Sequence, residues 1–185
     1  MEITFLGTSC MQPTKDRNHA GVLLTHNGDG LLFDCGEGIQ RQMRKAGIKP
    51  TIIKKIFISH WHGDHVLGLP GLLQTMSASD YQGTLQIYGP RGTRKFMGLM
   101  MAAFMSKTTL QFELHEVEKC QVTDEETYTV ESDNLVHSAV CVGYSFIEKD
   151  RRKINMREIK KRGIPEGPLI GKLQQGMDIM HKGEK

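Results

Sequence analysis

Ser59-His60-Trp61-His62-Gly63-Asp64-His65 confines the fold of this chain more than any other stretch. Three imidazoles and a carboxylate fall within six residues. Such a set needs a place where the backbone leaves regular structure and side chains can converge. Lys54–Ser59, a short β-rich run, supplies it by ending at the cluster. His60 and His62 stand two apart, so an extended segment turns both rings to one side. Gly63 permits a sharp turn that brings Asp64 and His65 to nearly the same point. Imidazoles and a carboxylate suit zinc, with manganese or iron as alternatives. Four ligands overfill one catalytic ion that must keep a position open, and fit two ions ~3.5–4 Å apart better. The rival reading, a solvated polar loop, does not account for this density and order.

Two distant residues gain meaning from that loop. Asp34, after the run Gly30–Asp34 and before Cys35-Gly36-Glu37-Gly38, is placed to orient a ligating histidine from behind. Taken alone, it would equally serve as a helix cap. His137 closes a short apolar run, Leu135–His137, and offers the third nitrogen that a His60/His62 pair lacks. His19, His26, His115 and His181 have no comparable context and are expected at the surface.

Strands are predicted over 1–7, 21–25, 30–34, 54–59, 85–88, 111–117, 126–130, 135–137 and 140–147, and helices over 39–45, 68–77 and 92–105. His26-Asn27-Gly28-Asp29-Gly30 signals a hairpin. Met97, Met100, Met101 and Met105 recur at helical spacing and read as core. This alternation of strands and helices, with hairpins mixed in, points to a layered α/β fold. Cys10, Cys35, Cys120 and Cys141 form no CxxC pair and read as reduced thiols of a cytoplasmic protein. The apolar runs are far shorter than the ~20 residues of a membrane span. The start of the chain does not look like a secretory leader.

Charge is unevenly spread. Residues 1–147 carry 13 basic and 15 acidic side chains, whereas residues 148–185 carry 11 and 6. We therefore expect a core over 1–147 and a basic arm over 148–185, interrupted by the turn-rich Gly163-Ile164-Pro165-Glu166-Gly167-Pro168. A solvated helix face and a phosphate-backbone contact explain such a run equally well.

At these residues the chain resembles the metallo-β-lactamase superfamily, through His60-Trp61-His62-Gly63-Asp64-His65. Within it the sequence is similar to the ribonuclease Z (tRNase Z) family. The likeness runs through Phe5-Leu6-Gly7-Thr8 with Pro13–Asn18, Phe33–Gly38, Gly68–Leu73, His137-Ser138 with Gly143-Tyr144, and the Gly163–Leu169 arm. The resemblance implies an αββα sandwich, here incomplete: its first half plus the arm that binds the transfer RNA body. It implies that His60, His62 and His137 hold one Zn2+, that Asp64 and His65 contribute to a second, and that Asp64 also accepts a proton. The implied reaction removes the 3′ trailer of precursor tRNA and leaves a 3′-hydroxyl for CCA addition. Lys15 and Arg17 would then lie near the site. Lys149, Arg151, Arg152, Lys153, Arg157, Lys160, Lys161 and Arg162 would meet phosphates. A homodimer, in which one subunit's arm presents substrate to the other's site, is also implied.

The family pattern continues with a metal-bridging aspartate and a later histidine, which Asp178, His181 and Glu184 do not match. The expectation is a fragment with a weakened second metal and little or no activity alone. Two rivals stand beside this reading. One is another phosphodiesterase of the same fold, acting on a small cyclic nucleotide. The other is a non-catalytic RNA-binding remnant.

Overall fold

The computed structural model describes residues 1–103, 109–150 and 153–181. The chain divides into two compact units, Met1–Asp124 with Thr129–Ile147, and Glu125–Tyr128 with Glu148–Lys185. The first unit is built on six strands whose order in the sheet is their order in the chain. These are β1 (Glu2–Gly7), β2 (Gly21–His26), β3 (Asp29–Phe33), β4 (Ile53–Phe57), β5 (Thr84–Pro90) and β6 (Gln111–Val117). The first three are antiparallel, and β3 to β6 run parallel. Asn27 (φ 50°) and Gly28 (φ 90°) make the tight β2–β3 turn, since both tolerate the positive φ that matches strand twist. The parallel half needs crossovers, and helices supply them: α1 (Ile39–Lys45), α2 (Gly63–Val66), α3 (Leu69–Ala78) and α4 (Thr93–Ala103).

Strand periodicity then decides both faces of the sheet. Leu23 opposes Leu32, Leu32 opposes Ile56, and Ile56 opposes Ile87. This row is sealed from solvent and shares a core with Ile39 and Met43 of α1, Leu72 and Met76 of α3, and Met97 of α4. Met100 and Met101 also pack against that core, so the methionine stripe is structural; Met105 lies outside the described residues. One register further along, the opposite face carries an aromatic row. Phe33 stacks on Phe57 at 4.9 Å, Phe57 on Tyr88 at 5.1 Å, and Tyr88 on His115 at 4.8 Å.

A second sheet has the order β7 (Cys120–Asp124), β8 (Tyr128–Leu135), β9 (Cys141–Glu148). Tyr144 of β9 meets Phe57 edge-on at 5.2 Å and donates its hydroxyl to the Ile58 carbonyl at 3.0 Å. Burial holds that phenol far above its ordinary titration range.

Two expectations are corrected and one strand is added. Residues 126–130 and 135–137 are not two strands: one strand covers Tyr128–Leu135, and His137 sits in the loop beyond it. β7 was missed because Gln121, Thr123 and Asp124 make it polar, and its order comes from pairing with β8. His19 and His26 are buried at 5% and 2% exposure, held by the polar groups around them: His19 Nε2 lies 3.2 Å from the Met11 carbonyl and His26 Nε2 lies 3.2 Å from Asn27 Nδ2. The sharp turn expected at Gly63 is the first turn of α2.

In the second unit, α5 (Met156–Lys161) starts at Asn155, whose side chain accepts from the Arg157 and Glu158 amides. Arg162 Nε meets Glu158 Oε1 at 3.1 Å, one turn apart. The helix α6 (Pro168–Gln174) carries its proline in the first turn, where the missing N–H costs nothing. Among the described residues of this unit, Tyr128, Ile159 of α5 and Ile179 are buried apolar side chains.

Candidate metal centre

β3 and β4 end side by side, and the loops that leave them are cross-linked by one carboxylate. Asp34 follows β3 with φ 57°, a left-handed conformation that aspartate tolerates better than most residues. Its Oδ1 accepts the Ser59 amide at 2.8 Å, and both its oxygens lie 2.9 Å from the Ser59 hydroxyl. Its Oδ2 also lies 2.7 Å from His65 Nδ1. Ser59 Oγ in turn lies 3.0 Å from His60 Nδ1. The acceptor-only carboxylate takes the hydroxyl proton of Ser59 and the Nδ1 proton of His65. Ser59 is left to accept the Nδ1 proton of His60. Both rings are thus set with Nδ1 protonated and a lone pair on Nε2.

The 34–38 segment also cradles the loop through the backbone. The Cys35 amide donates to the His65 carbonyl at 2.7 Å, and a Cβ on Gly36 would fall 2.3 Å from the Asp64 carbonyl oxygen. Only glycine allows that approach.

Three ring nitrogens converge at the mouth. His60 Nε2 lies 3.1 Å from His62 Nδ1, which lies 3.2 Å from His137 Nε2, and all three fall within 4.8 Å of one another. Nitrogens bound to one tetrahedral zinc at ~2.0–2.1 Å stand about 3.3 Å apart, so the donor set fits that ion. This is the one group of three or more such ligands among the described residues. Asp64 Oδ2 lies 3.4 Å from His65 Nε2, and the His60 and His65 ring centroids are 4.1 Å apart, so a second pair of donors adjoins the first set.

Burial, reinforced by neighbouring His65, lowers His60 to about 4 and keeps its ring neutral at pH 7. Burial also acts to lower His65, but the hydrogen bond and charge of Asp34, with the charge of Asp64, outweigh it and the net shift is upward. His60 and Asp64 are buried, whereas His137 is exposed.

Lys15 and Arg17 are exposed on the β1–β2 connection. Asn18 ties that connection to the cradle, with Nδ2 donating to the Glu37 carbonyl at 2.7 Å. Lys153, Arg157, Lys160, Lys161 and Arg162 are exposed in the second unit, and Arg151 and Arg152 lie outside the described residues. Ser59 is the site residue that sequence reading passed over. Its only local signal was a hydroxyl directly before the first histidine.

Residues 1–141 match the family described as Anti-Pycsar protein Apyc1. The ribonuclease Z of Methanothermobacter thermautotrophicus is 42% identical over 181 residues, covering 97% of this chain and 58% of that protein. The crystal structure of human tRNase Z, short form, is 35% identical with a TM-score of 0.73, over 80% of this chain and 64% of that one. The metallo-β-lactamase fold protein YhfI of Bacillus subtilis has a TM-score of 0.64 at 20% identity, over 78% of this chain and 56% of that one, a likeness of fold. The expected metallo-β-lactamase-type fold is therefore correct. The chain spans about three-fifths of the length of the curated relatives it matches, 58% to 62%.

Proposed function

We propose that this chain, which belongs to the family described as Anti-Pycsar protein Apyc1 and resembles ribonuclease Z along nearly its whole length, carries the metal centre of an endoribonuclease that removes 3′ trailers from precursor tRNA. The convergence of His60 Nε2, His62 Nδ1 and His137 Nε2 carries the reading. Those three nitrogens would hold one Zn2+, and Asp64 with His65 would contribute to a second. Zinc held there would supply water of lowered pKa and positive charge for the phosphoryl oxygens.

The side chains supply the rest. Asp34 holds His65 directly and His60 through Ser59, so both present Nε2 before any metal arrives. Asp64, buried beside His65, would accept a proton from the attacking water. Lys15 and Arg17 stand on a connection tied to the cradle, where the 3′ end of a substrate would pass. The exposed Lys153, Lys160, Lys161 and Arg162, with Arg151 and Arg152, would contact phosphates, giving salt-sensitive binding with little base reading. The proposal includes a homodimer working in the cytoplasm. Asp64 and His65 are two donors, fewer than a tightly held zinc takes, so the ion at His60, His62 and His137 would be the tighter of the two.

A second reading has one observation in its favour: the family match ends at residue 141, short of the basic segment. On that reading the centre hydrolyses another phosphodiester, such as a small cyclic nucleotide, and the arm is incidental. The ribonuclease Z similarity, in contrast, runs through the arm.

The test is a labelled precursor tRNA incubated with zinc-loaded protein. A product ending in a 3′-hydroxyl after the discriminator nucleotide, lost in His62→Ala, supports the proposal. Lys160→Glu with Lys161→Glu and Arg162→Glu should weaken RNA binding and leave any cyclic-nucleotide hydrolysis unchanged. RNA bound but never cut favours the non-catalytic remnant, and no RNA binding at all defeats the proposal.

A further inference from the structure

Trp61 stands between two of the three converging histidines and faces away from them. Residue 62 is extended (φ −74°, ψ 147°), and alternation along such a segment sends the indole to the side opposite the imidazoles. There it packs against the apolar core and meets the Phe96 ring at 5.4 Å. Its Nε1 donates to Thr93 Oγ1 at 2.8 Å, and Thr93 Oγ1 donates to the Pro90 carbonyl at 2.7 Å. The hydroxyl proton is thus committed to Pro90, which leaves an oxygen lone pair for the indole. Thr93 has no exposed surface, and it begins α4. The turn before α4 is itself fixed, because Glu116 Oε1 accepts from the Gly92 amide at 3.1 Å and the Arg94 amide at 2.9 Å.

The loop histidines His60, His62 and His65 differ in what stands behind them. His60 has Ser59 on its other ring nitrogen, and His65 has Asp34. His62 turns Nδ1 toward His60 and His137, and no hydrogen bond holds its Nε2 among the described residues. A ligating histidine is ordinarily aimed by a partner on its second nitrogen. At His62 that support is missing; its carbonyl accepts the His65 amide at 3.0 Å, and the residue before it is tied to α4 through the indole of Trp61.

We propose that the Trp61–Thr93 hydrogen bond is a positioning device for the metal centre, aiming His62 through the backbone as Asp34 and Ser59 aim His65 and His60. The inference rests on the reading of His60, His62 and His137 as metal ligands. Trp61 itself touches neither metal nor substrate. Freed of this tie, the 60–62 backbone would sample several positions, and metal binding would have to select one of them, with a loss of affinity.

Thr93→Val keeps the volume and deletes the acceptor, Trp61→Phe removes the donor, and Thr93→Ser restores the hydroxyl. Metal affinity is measured by titrating the metal-free protein with Co2+ and reading its absorption bands. Circular dichroism and thermal unfolding check the fold. Thr93→Val and Trp61→Phe should each weaken Co2+ binding about 10-fold, with Thr93→Ser close to the parent protein. The double variant should be no weaker than the weaker of the two single ones, because the Trp61–Thr93 bond is already absent from each; Thr93→Val removes the Thr93–Pro90 bond as well. Trp61 is the only tryptophan in the sequence, so its emission reports this contact alone. Emission should shift to the red in Thr93→Val and respond to Co2+ in the parent.

Folded Thr93→Val with unchanged affinity overturns the inference, even if Trp61→Phe fails to fold. Additive losses in the double variant overturn it as well. A parent protein that binds no Co2+ is a different failure: it removes the metal reading, and the positioning role falls with it.

Discussion

The loop after β4 and the loop between β8 and β9 bring histidine nitrogens to the same point but are built in opposite ways. In the first, His60 and Asp64 are buried, Asp34 and Ser59 hold two rings through Nδ1, and the backbone is bonded to the 34–38 cradle. In the second, His137 is exposed beside Val136 and Leu135, which are also exposed, and it meets only other histidines among the described residues, His62 at 3.2 Å and the His60 ring at 4.6 Å between centroids. The centre is therefore half preorganised. One wall is braced by the sheet ends, and on the proposed reading the other would be completed by a metal shared between both loops. Ordering a side chain at that moment costs about 0.5–1.5 kcal/mol, or up to roughly tenfold in affinity.

This contrast can be broken by experiment. The largest effect belongs to the braced wall: His60→Ala should lower metal affinity by more than about 100-fold, beyond the usual loss of an orienting partner. His137→Ala should cost about tenfold less, since part of its ligand energy goes into ordering its loop. Equal losses by Co2+ or Zn2+ titration would show that both walls are equally rigid. Asp34→Ala ranks next, with affinity down about 10- to 100-fold. Its stability should fall by about 1–3 kcal/mol in urea unfolding, because the Ser59 amide and the His65 ring lose their acceptor.

A smaller effect concerns pH in chelator-treated protein. His60 titrates at about 4 when folded and near 6.5 when unfolded. Between those values the unfolded chain binds a proton that the folded chain refuses, so this residue adds stability as pH rises from about 4 to 6.5. His60→Gln should remove that part of the slope in denaturation midpoints. The smallest perturbation is a labelling experiment. Cys10 and Cys120 are exposed and should react with a thiol reagent in the folded protein. Cys35, buried behind the cradle and with its thiol pushed up by burial, should stay silent until unfolding.

Much of the sheet was legible because burial imposes a period of two. Leu23, Leu32, Ile56 and Ile87 fall on one face and Phe33, Phe57 and Tyr88 on the other. β7 was not legible, since a polar strand held by its neighbour carries no such period. His19 and His26 were misplaced for a related reason: composition marks histidine as a surface residue, while local polar partners let it be enclosed. In the site, the loop histidines were plain from spacing. Asp34 was readable as one of two possible roles, and Ser59 was not readable at all, because a single hydroxyl means nothing until its acceptor is known.

Sequence alone determined the chemistry on offer: nitrogen and carboxylate donors crowded into one loop at the end of a strand, and positive charge gathered toward residue 185. Tertiary structure decided which donors meet. It brought His137 to a residue 75 positions earlier, laid Asp34 across Ser59 and His65, and set Trp61 on Thr93. The physical reason is one of range. Backbone geometry restrains neighbours a few residues apart, whereas contacts across dozens of residues exist only where two packed sheets leave their ends together.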